Sequence, residues 1–218
     1  MSNIYVIGDI HGCSMLLTKL LNKIKPLAKS DTVVFIGDYI DRGPDSKAVI
    51  DIVLNLKRDH NRVITLMGNH ELMLLDTMRG NGQNNFLNMG GKATLQSYGI
   101  PPESINDLAL IIPPDHLTFL QDLLPYWEDE NYIYVHAGLQ PGVHLSQQSP
   151  DWLFWARDAF IKSTYNFGKK VVYGHTPYEK PKVDPHKIGI DTGAVYGGGL
   201  TCLVLPENTF ISAGHKKN

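Results

Sequence analysis

The 218-residue sequence predicts an α/β fold in which two mixed β-sheets pack as a central sandwich flanked by helices. Three observations carry that reading. The first seventy residues alternate short β-rich runs with amphipathic stretches. Residues 71–125 are helical in pattern, with little strand signal. From residue 131 onward short β-rich runs return at close spacing.

In chain order, residues 4–7 form an apolar run ending in Gly8-Asp9, after which Leu16, Leu17, Leu20, Leu21 and Ile24 recur at helical spacing. A second run at 32–36 ends in Gly37-Asp38. Pro44-Asp45-Ser46 then opens a helix marked by Val49, Ile50, Val53 and Leu56. A third run at 63–67 ends in Gly68-Asn69. This βαβαβ order predicts three parallel, fully buried strands. The helical stretch is broken by Gly80, Gly82, Gly90-Gly91 and Pro113-Pro114. Strands are expected at 132–135, 170–173, 186–190, 200–205 and 209–212, several joined by short turns such as Pro206-Glu207-Asn208, so an antiparallel arrangement is expected there. Residues 214–218 are expected to fray. No tract reads as a linker, and residues 1–218 are expected to form one domain.

Composition narrows the function. Twenty Lys and Arg against 22 Asp and Glu give a formal charge of −2, without the basic excess of a nucleic-acid-binding surface. The longest apolar runs are four to six residues, far below a membrane span. The N-terminus enters a strand pattern with no charged-then-apolar leader, and Cys13 and Cys202 cannot build a disulfide framework, so a cytoplasmic location is expected. Nine histidines occur without any His-rich tract.

Four of those histidines fall in motifs at strand ends. Gly8-Asp9-Ile10-His11-Gly12, Gly37-Asp38 and Gly68-Asn69-His70-Glu71 each follow one of the first three strands, where open α/β sheets place their sites. Asp9 and His11 lie two apart, so both face one way in extended backbone. Later, His136-Ala-Gly138 and Gly174-His175-Thr-Pro177 follow two more strands. Asp9, His11, Asp38, Asn69, His136 and His175 form a mixed O/N donor set without thiolate, suited to Mn²⁺, Fe or Zn²⁺. Six ligands exceed what one ion with an open position needs. Two divalent ions sharing one carboxylate account for them better.

Gly8-Asp-Ile-His-Gly12, Gly37-Asp-Tyr-Ile-Asp-Arg-Gly43 and Gly68-Asn-His-Glu71, in that order, resemble the signature of the phosphoprotein phosphatase family of calcineurin-like metallophosphoesterases. Val135-His-Ala-Gly-Leu139 and Tyr173-Gly-His-Thr-Pro177 extend the resemblance. Ile190-Asp-Thr-Gly-Ala194 with Gly-Gly-Gly-Leu-Thr201 is similar to the bacterial and phage branch, which includes the bacteriophage lambda protein phosphatase. The resemblance implies that Asp9 and His11 hold a first ion, that Asp38 bridges, and that Asn69, His136 and His175 complete a second site. It implies Mn²⁺ as the ion, with Fe or Zn²⁺ compatible. His70 would be the general acid, oriented by Asp41, and Arg42 would grip the phosphoryl oxygens. Arg157, in Trp155-Ala-Arg157, fits the place of a second phosphate-binding arginine. The implied activity is serine/threonine protein phosphatase, with a phosphoprotein or phosphopeptide substrate attacked by a hydroxide bridging the ions.

Elementary chemistry is consistent with those roles. A phosphomonoester needs positive charge and a nucleophile already deprotonated, and two ions provide both. A departing Ser or Thr alkoxide is strongly basic, so a protonated imidazole contributes about 10²–10⁴-fold. The main alternative is a symmetrical diadenosine tetraphosphate hydrolase. Such enzymes typically lack the acid at the Asp41 position and are longer, and both points favour the phosphoprotein substrate. A non-catalytic metal-binding scaffold ranks last, because His70, Asp41 and Arg42 are all present. His60, His116, His144, His186 and His215 are expected to be solvated. Tyr39 is expected at the site mouth or in packing, and Trp127, Trp152 and Trp155 in the core or at a rim.

Overall fold

The computed structural model describes residues 2–214. Its first sheet comprises β1 (Ile4–Ile7), β2 (Thr32–Phe35), β3 (Val63–Thr65), β9 (Gly199–Leu205) and β10 (Thr209–Gly214), in the order β10-β9-β1-β2-β3. The second comprises β4 (Tyr126–Glu128), β5 (Tyr132–Val135), β6 (Lys170–Tyr173), β7 (Lys182–Val183) and β8 (Lys187–Gly189), in the order β4-β5-β6-β8-β7. Strands β1, β2 and β3 are parallel, as their βαβαβ order requires. Of these three, β1 and β2 lie inside the sheet, and β2 alone is buried throughout, Ile4 and Tyr5 of β1 being half-buried. β3 is an edge strand, and Val63 and Ile64 are half-buried rather than buried.

The antiparallel expectation for the C-terminal part holds in β9–β10, which Pro206-Glu207-Asn208 joins, and in the β4 and β7 edges. It fails in the centre of the second sheet, where β5, β6 and β8 are parallel. Connection length explains the difference. The segment between β5 and β6 carries α8 (Pro150–Trp155) and α9 (Asp158–Ile161), enough chain to cross over and return in the same direction. β4 and β7, of three and two residues, are too short for an alternating pattern to show in sequence.

Side chains alternate faces along each strand, and that alternation sorts the core into three layers. Val6, Val34, Leu203 and Leu205 of the first sheet meet Tyr134, Val172 and Ile188 of the second between the sheets. On the outer face of the first sheet, Ile7, Val33, Phe35, Cys202 and Val204 pack against α1 (Ser14–Ile24), α2 (Ser46–Asp59) and α3 (Asn69–Met78). On the outer face of the second, Ile133, Val135, Val171 and Tyr173 pack against Leu153, Phe154 and Phe160 of α8 and α9. In α1 the residues spaced for one face, Leu17, Leu20, Leu21 and Ile24, are the buried ones. Asp45 caps α2, its side chain accepting from the Ala48 N–H at 3.0 Å.

Residues 71–125 are helical as expected, in short pieces: α4 (Gln83–Phe86), α5 (Lys92–Ser97), α6 (Leu108–Ile111) and α7 (Pro114–Gln121) follow α3. A wide turn at Leu87–Gly91 kinks at Gly90, whose φ is 114°. Two sequence expectations need correction or choice here. His116 is buried, not solvated: its ring lies 2.7 Å from the Tyr98 hydroxyl and 3.0 Å from Asp51 Oδ1, tying α7 to α2. Tyr39 is packing, fully buried and edge-on to Phe119, with its hydroxyl donating to the Leu66 carbonyl at 3.0 Å. His144 is exposed, and His60 and His186 are half-buried. Of the tail expected to fray, 214–218, Gly214 ends β10 in register with Gly199, and His215 with the rest lies outside the described residues. Among those described, no helix is long and apolar enough to cross a membrane.

Candidate active site

The parallel strands of both sheets deliver their C-terminal ends to one place. Asp9 and His11 follow β1; Asp38, Asp41 and Arg42 follow β2; Asn69, His70 and Glu71 open α3 after β3. His136 follows β5, His175 follows β6, and Asp191 follows β8. The loops turn abruptly to bring the side chains inward. His11, Asp38, Asp41, Arg42 and His175 have φ between 46° and 72°, the left-handed region. Each such non-glycine residue costs on the order of 1–3 kcal/mol, and the surrounding contacts must hold it there. At Gly68 the close approach is evident: a Cβ there would collide with Asp38 Oδ1.

Two groups of ligand-type atoms lie within 4.8 Å of one another: His11, Asp38 and His70, and Asp38, His136 and His175. Asp38 belongs to both, as a shared carboxylate would. The donor chemistry around the second group suits a cation. The His136 Nδ1–H donates to the Ile36 carbonyl at 2.9 Å, so in the neutral ring Nε2 is an acceptor. That acceptor faces Asn69 Oδ1 at 3.0 Å and Asp38 Oδ2 at 3.5 Å. His175 Nδ1 lies 3.0 Å from the same Asn69 oxygen and 3.2 Å from His136 Nε2. Lone pairs converging at these distances repel unless a proton or a cation sits among them. In the first group His11 Nδ1 is held by the Ile40 carbonyl at 2.9 Å, and Nε2, turned to Asp38 Oδ2 at 3.4 Å, is met by the Arg42 guanidinium at 2.6 Å. Asp9 Oδ1, His70 Nε2 and His175 Nε2 are buried without a hydrogen-bond partner. These residues fit a pair of divalent ions.

Electrostatics points the same way. Burial lowers His11 to about 3, and burial with the neighbouring His136 does the same to His175, so both rings are neutral and free to ligate. Burial, then the Asp191 and Asp38 charges, push the Asp9 carboxyl well above the usual range. Asp38 is held below that range despite its burial, because His136, His70, His11 and His175 surround it.

His70 stands apart from the other histidines. Its Nδ1–H donates to Asp41 Oδ2 at 2.7 Å, with both side chains fully buried. Burial opposes its charge, yet Asp38 and the Asp41 hydrogen bond raise its pKa above the ordinary value. Thr94 Oγ1 donates to the second Asp41 oxygen at 2.5 Å, and the Asp41 backbone N–H donates to Ser46 and Thr94. His70 Nε2 is left without a partner. Arg42 reaches across from β2, its Nη1 donating to His11 Nε2 at 2.6 Å.

Nine of the ten residues singled out in the sequence gather at this point. Arg157 is at the rim: it is exposed at the start of α9, and its charge reaches His175 and Asp191 without direct contact. Trp155 lies beside it, edge-on to His175 at 6.3 Å. Glu71 and Asp191 lie in the same strand-end motifs, with roles that residue type and spacing do not reveal. Glu71 is buried and accepts the N–H groups of Asp38, Tyr39, Ile40 and Gly68 at 2.8–3.2 Å, holding the β2 turn in shape. Burial and the Asp38 charge push it to about 8, while four converging donors favour its carboxylate. Asp191 is buried and pushed up to about 6 by that burial. A single sequence offers no spacing signal for either, since neither sits at a regular offset from another ligand.

Known proteins share this chain's organisation. The family model described as calcineurin-like phosphoesterase matches residues 2–214. A bis(5′-nucleosyl)-tetraphosphatase PrpE [asymmetrical] of Oceanobacillus iheyensis is 29% identical, aligned over 97% of this chain and 92% of its own length. The protein of the same name from Geobacillus thermodenitrificans is 30% identical over 96% and 93%. A crystal structure of a candidate diadenosine tetraphosphatase superposes with a TM-score of 0.76 and 26% identity, covering 100% of this chain and 95% of that one. A serine/threonine phosphatase from Saccharomyces cerevisiae superposes at 0.66 with 18% identity, covering 100% and 81%, a likeness of fold.

Proposed function

The chain belongs to the calcineurin-like phosphoesterases, metal-dependent phosphoester hydrolases, and on that premise we propose that it cleaves dinucleoside tetraphosphates asymmetrically. The observation that carries the substrate is the alignment, over more than nine-tenths of both chains, with relatives named as asymmetrical tetraphosphatases. That coverage also removes chain length as a reason to prefer a phosphoprotein, because these relatives are of similar size. Asp41 spoke only against the symmetrical type. In the proposed reaction water adds to one phosphorus, one anhydride P–O bond breaks, and a nucleoside monophosphate and a nucleoside triphosphate are released.

In this reading Asp9 and His11 would hold one divalent ion, Asn69, His136 and His175 would hold the other, and Asp38 would serve both. Mn²⁺ is the proposed ion, and Fe or Zn²⁺ suits the same donors. When bound, the two ions supply an activated water and positive charge at the phosphoryl group. Arg42 swings its guanidinium from His11 to the phosphoryl oxygens, where a planar fork binds two of them. Arg157 steadies the outer phosphates from the rim. His70 gives the Nε2 proton to the departing oxygen while Asp41 holds the ring. The catalytic unit is taken as one domain over residues 1–218, acting in the cytoplasm.

A second reading has a specific observation behind it. A triphosphate leaves easily, whereas a Ser or Thr alkoxide needs a strong proton donor, and the buried His70–Asp41 pair is such a donor. Serine/threonine phosphomonoester hydrolysis is therefore the alternative. The deciding experiment compares kcat/KM for diadenosine tetraphosphate, a phosphoserine peptide and a phosphotyrosine peptide with Mn²⁺, resolving products chromatographically. AMP and ATP in equal amounts, with the dinucleotide preferred, are expected. Two ADP would mean symmetrical cleavage, and preference for the phosphoserine peptide would overturn the substrate assignment.

A further inference from the structure

Tyr196 is the most exposed aromatic ring close to the site, at 61% exposure, and it packs against Arg42, whose Cζ lies 5.8 Å from the ring centroid. The ring is not a loose surface residue. It ends a tight turn, Ala194–Tyr196, entered through Gly193 at φ 67° and left through Gly197 at φ 84°. The Tyr196 N–H donates to the Gly193 carbonyl at 2.9 Å, and the Gly198 N–H donates to the same oxygen at 3.0 Å. Below the turn, the Gly193 N–H donates to Asp191 Oδ1 at 2.9 Å, and Thr192 Oγ1 is bonded to Gly199 O and Thr201 Oγ1 at 2.5 and 2.7 Å. Such anchoring holds a large apolar ring largely in water, where folding gains little from it. One side of the ring meets the guanidinium, and most of its remaining surface faces solvent.

We propose that Tyr196 is a specificity-determining residue that stacks the nucleobase adjoining the phosphate held by Arg42. This rests on the dinucleotide reading above and extends it to base recognition. In a nucleotide one ribose separates the base from its first phosphate, and here the ring centroid lies 5.8 Å from the guanidinium carbon of Arg42, the group that would grip that phosphate. Asymmetrical cleavage attacks next to a nucleoside, which brings a base close to the reacting phosphorus. Stacking tolerates any base, because every base has a π-face, and is worth about 5- to 150-fold per base.

Equilibrium binding of AMP and of ribose 5-phosphate to the Mn²⁺-loaded protein, measured by calorimetry, isolates the base from the phosphate. The ratio of the two Kd values cancels any effect on the Arg42 grip. The wild-type ratio is expected to favour AMP by about 5- to 150-fold. It should fall to near one in Tyr196→Ala and persist in Tyr196→Phe, with circular dichroism confirming that both variants are folded. A wild-type ratio near one overturns the proposal, as does a ratio unchanged in Tyr196→Ala, which would leave the ring as a shield for Arg42 only. Loss of the ratio in Tyr196→Phe would assign the effect to the hydroxyl and also overturn stacking. The outcome is separate from the substrate assignment: diadenosine tetraphosphate could be cleaved with no base preference, or AMP could stack on a protein that does not cleave it.

Discussion

At the scale of single residues, the site divides its histidines by the partner of their second ring nitrogen. His11 and His136 hand Nδ1–H to backbone carbonyls and so present neutral acceptor nitrogens, whereas His70 hands Nδ1–H to a carboxylate and is pushed toward the imidazolium. Yet His70 also lies within ligand distance of His11 and Asp38, so its role needs a direct test. His70→Asn should cut kcat by about 10²–10⁴-fold while elemental analysis finds the metal content of the wild type. Loss of metal in that variant would make His70 a ligand instead of an acid. Asp38→Asn removes the charge common to both groups, and both metal stoichiometry and turnover should collapse. The residue types and strand-end positions of these side chains were legible in the sequence. The supporting contacts of Glu71, Thr94 and Ser46 were not, because each joins residues separated by up to 53 positions.

At the scale of elements, the site depends on how helices are fastened to strand ends. Lys187 of β8 is buried, and its ammonium donates to the carbonyls of Phe160, Ile161 and Ser163 at 2.5–2.9 Å, closing the C-terminal end of α9. Lys187→Met would keep most of the side-chain volume and leave those carbonyls without their donor. We expect a loss of about 2–4 kcal/mol, read as a lower urea midpoint with an unchanged slope. Gly174→Ala probes β6 in the same way: its Cβ would collide with Asp9 Oδ1, so metal affinity should fall more than global stability. Helix periodicity in α1 and α2 and the first three strands could be read directly from apolar spacing. The parallel pairing of β5, β6 and β8 could not. Direction depends on how the 136–169 connection crosses the sheet, and the apolar runs are equally compatible with either direction.

At the scale of the whole molecule, five buried acids, Asp9, Asp38, Asp41, Glu71 and Asp191, share one end of the sandwich. Their mutual repulsion is a cost of folding that divalent cations offset. Ions bound only by the folded chain at a hundred times Kd add about 2.7 kcal/mol per site, which for a domain of this size raises Tm by roughly 5–10 °C. Chelation should therefore lower Tm by that amount per ion, and Mn²⁺ should restore it. An unchanged Tm with EDTA would mean that the cluster folds without its ions.

By itself the sequence determined the donor side chains, their places after strands and the layered fold, because periodicity and strand-end chemistry are local properties of the chain. Only the tertiary structure decided which side chains meet: His70 against Asp41, Arg42 between His11 and Tyr196, and Asp191 within reach of Asp9. The physical reason is closure of the sandwich. Burying Val6, Val34, Leu203 and Leu205 against Tyr134, Val172 and Ile188 fixes the register of the two sheets, and with it the distances between groups up to 166 residues apart.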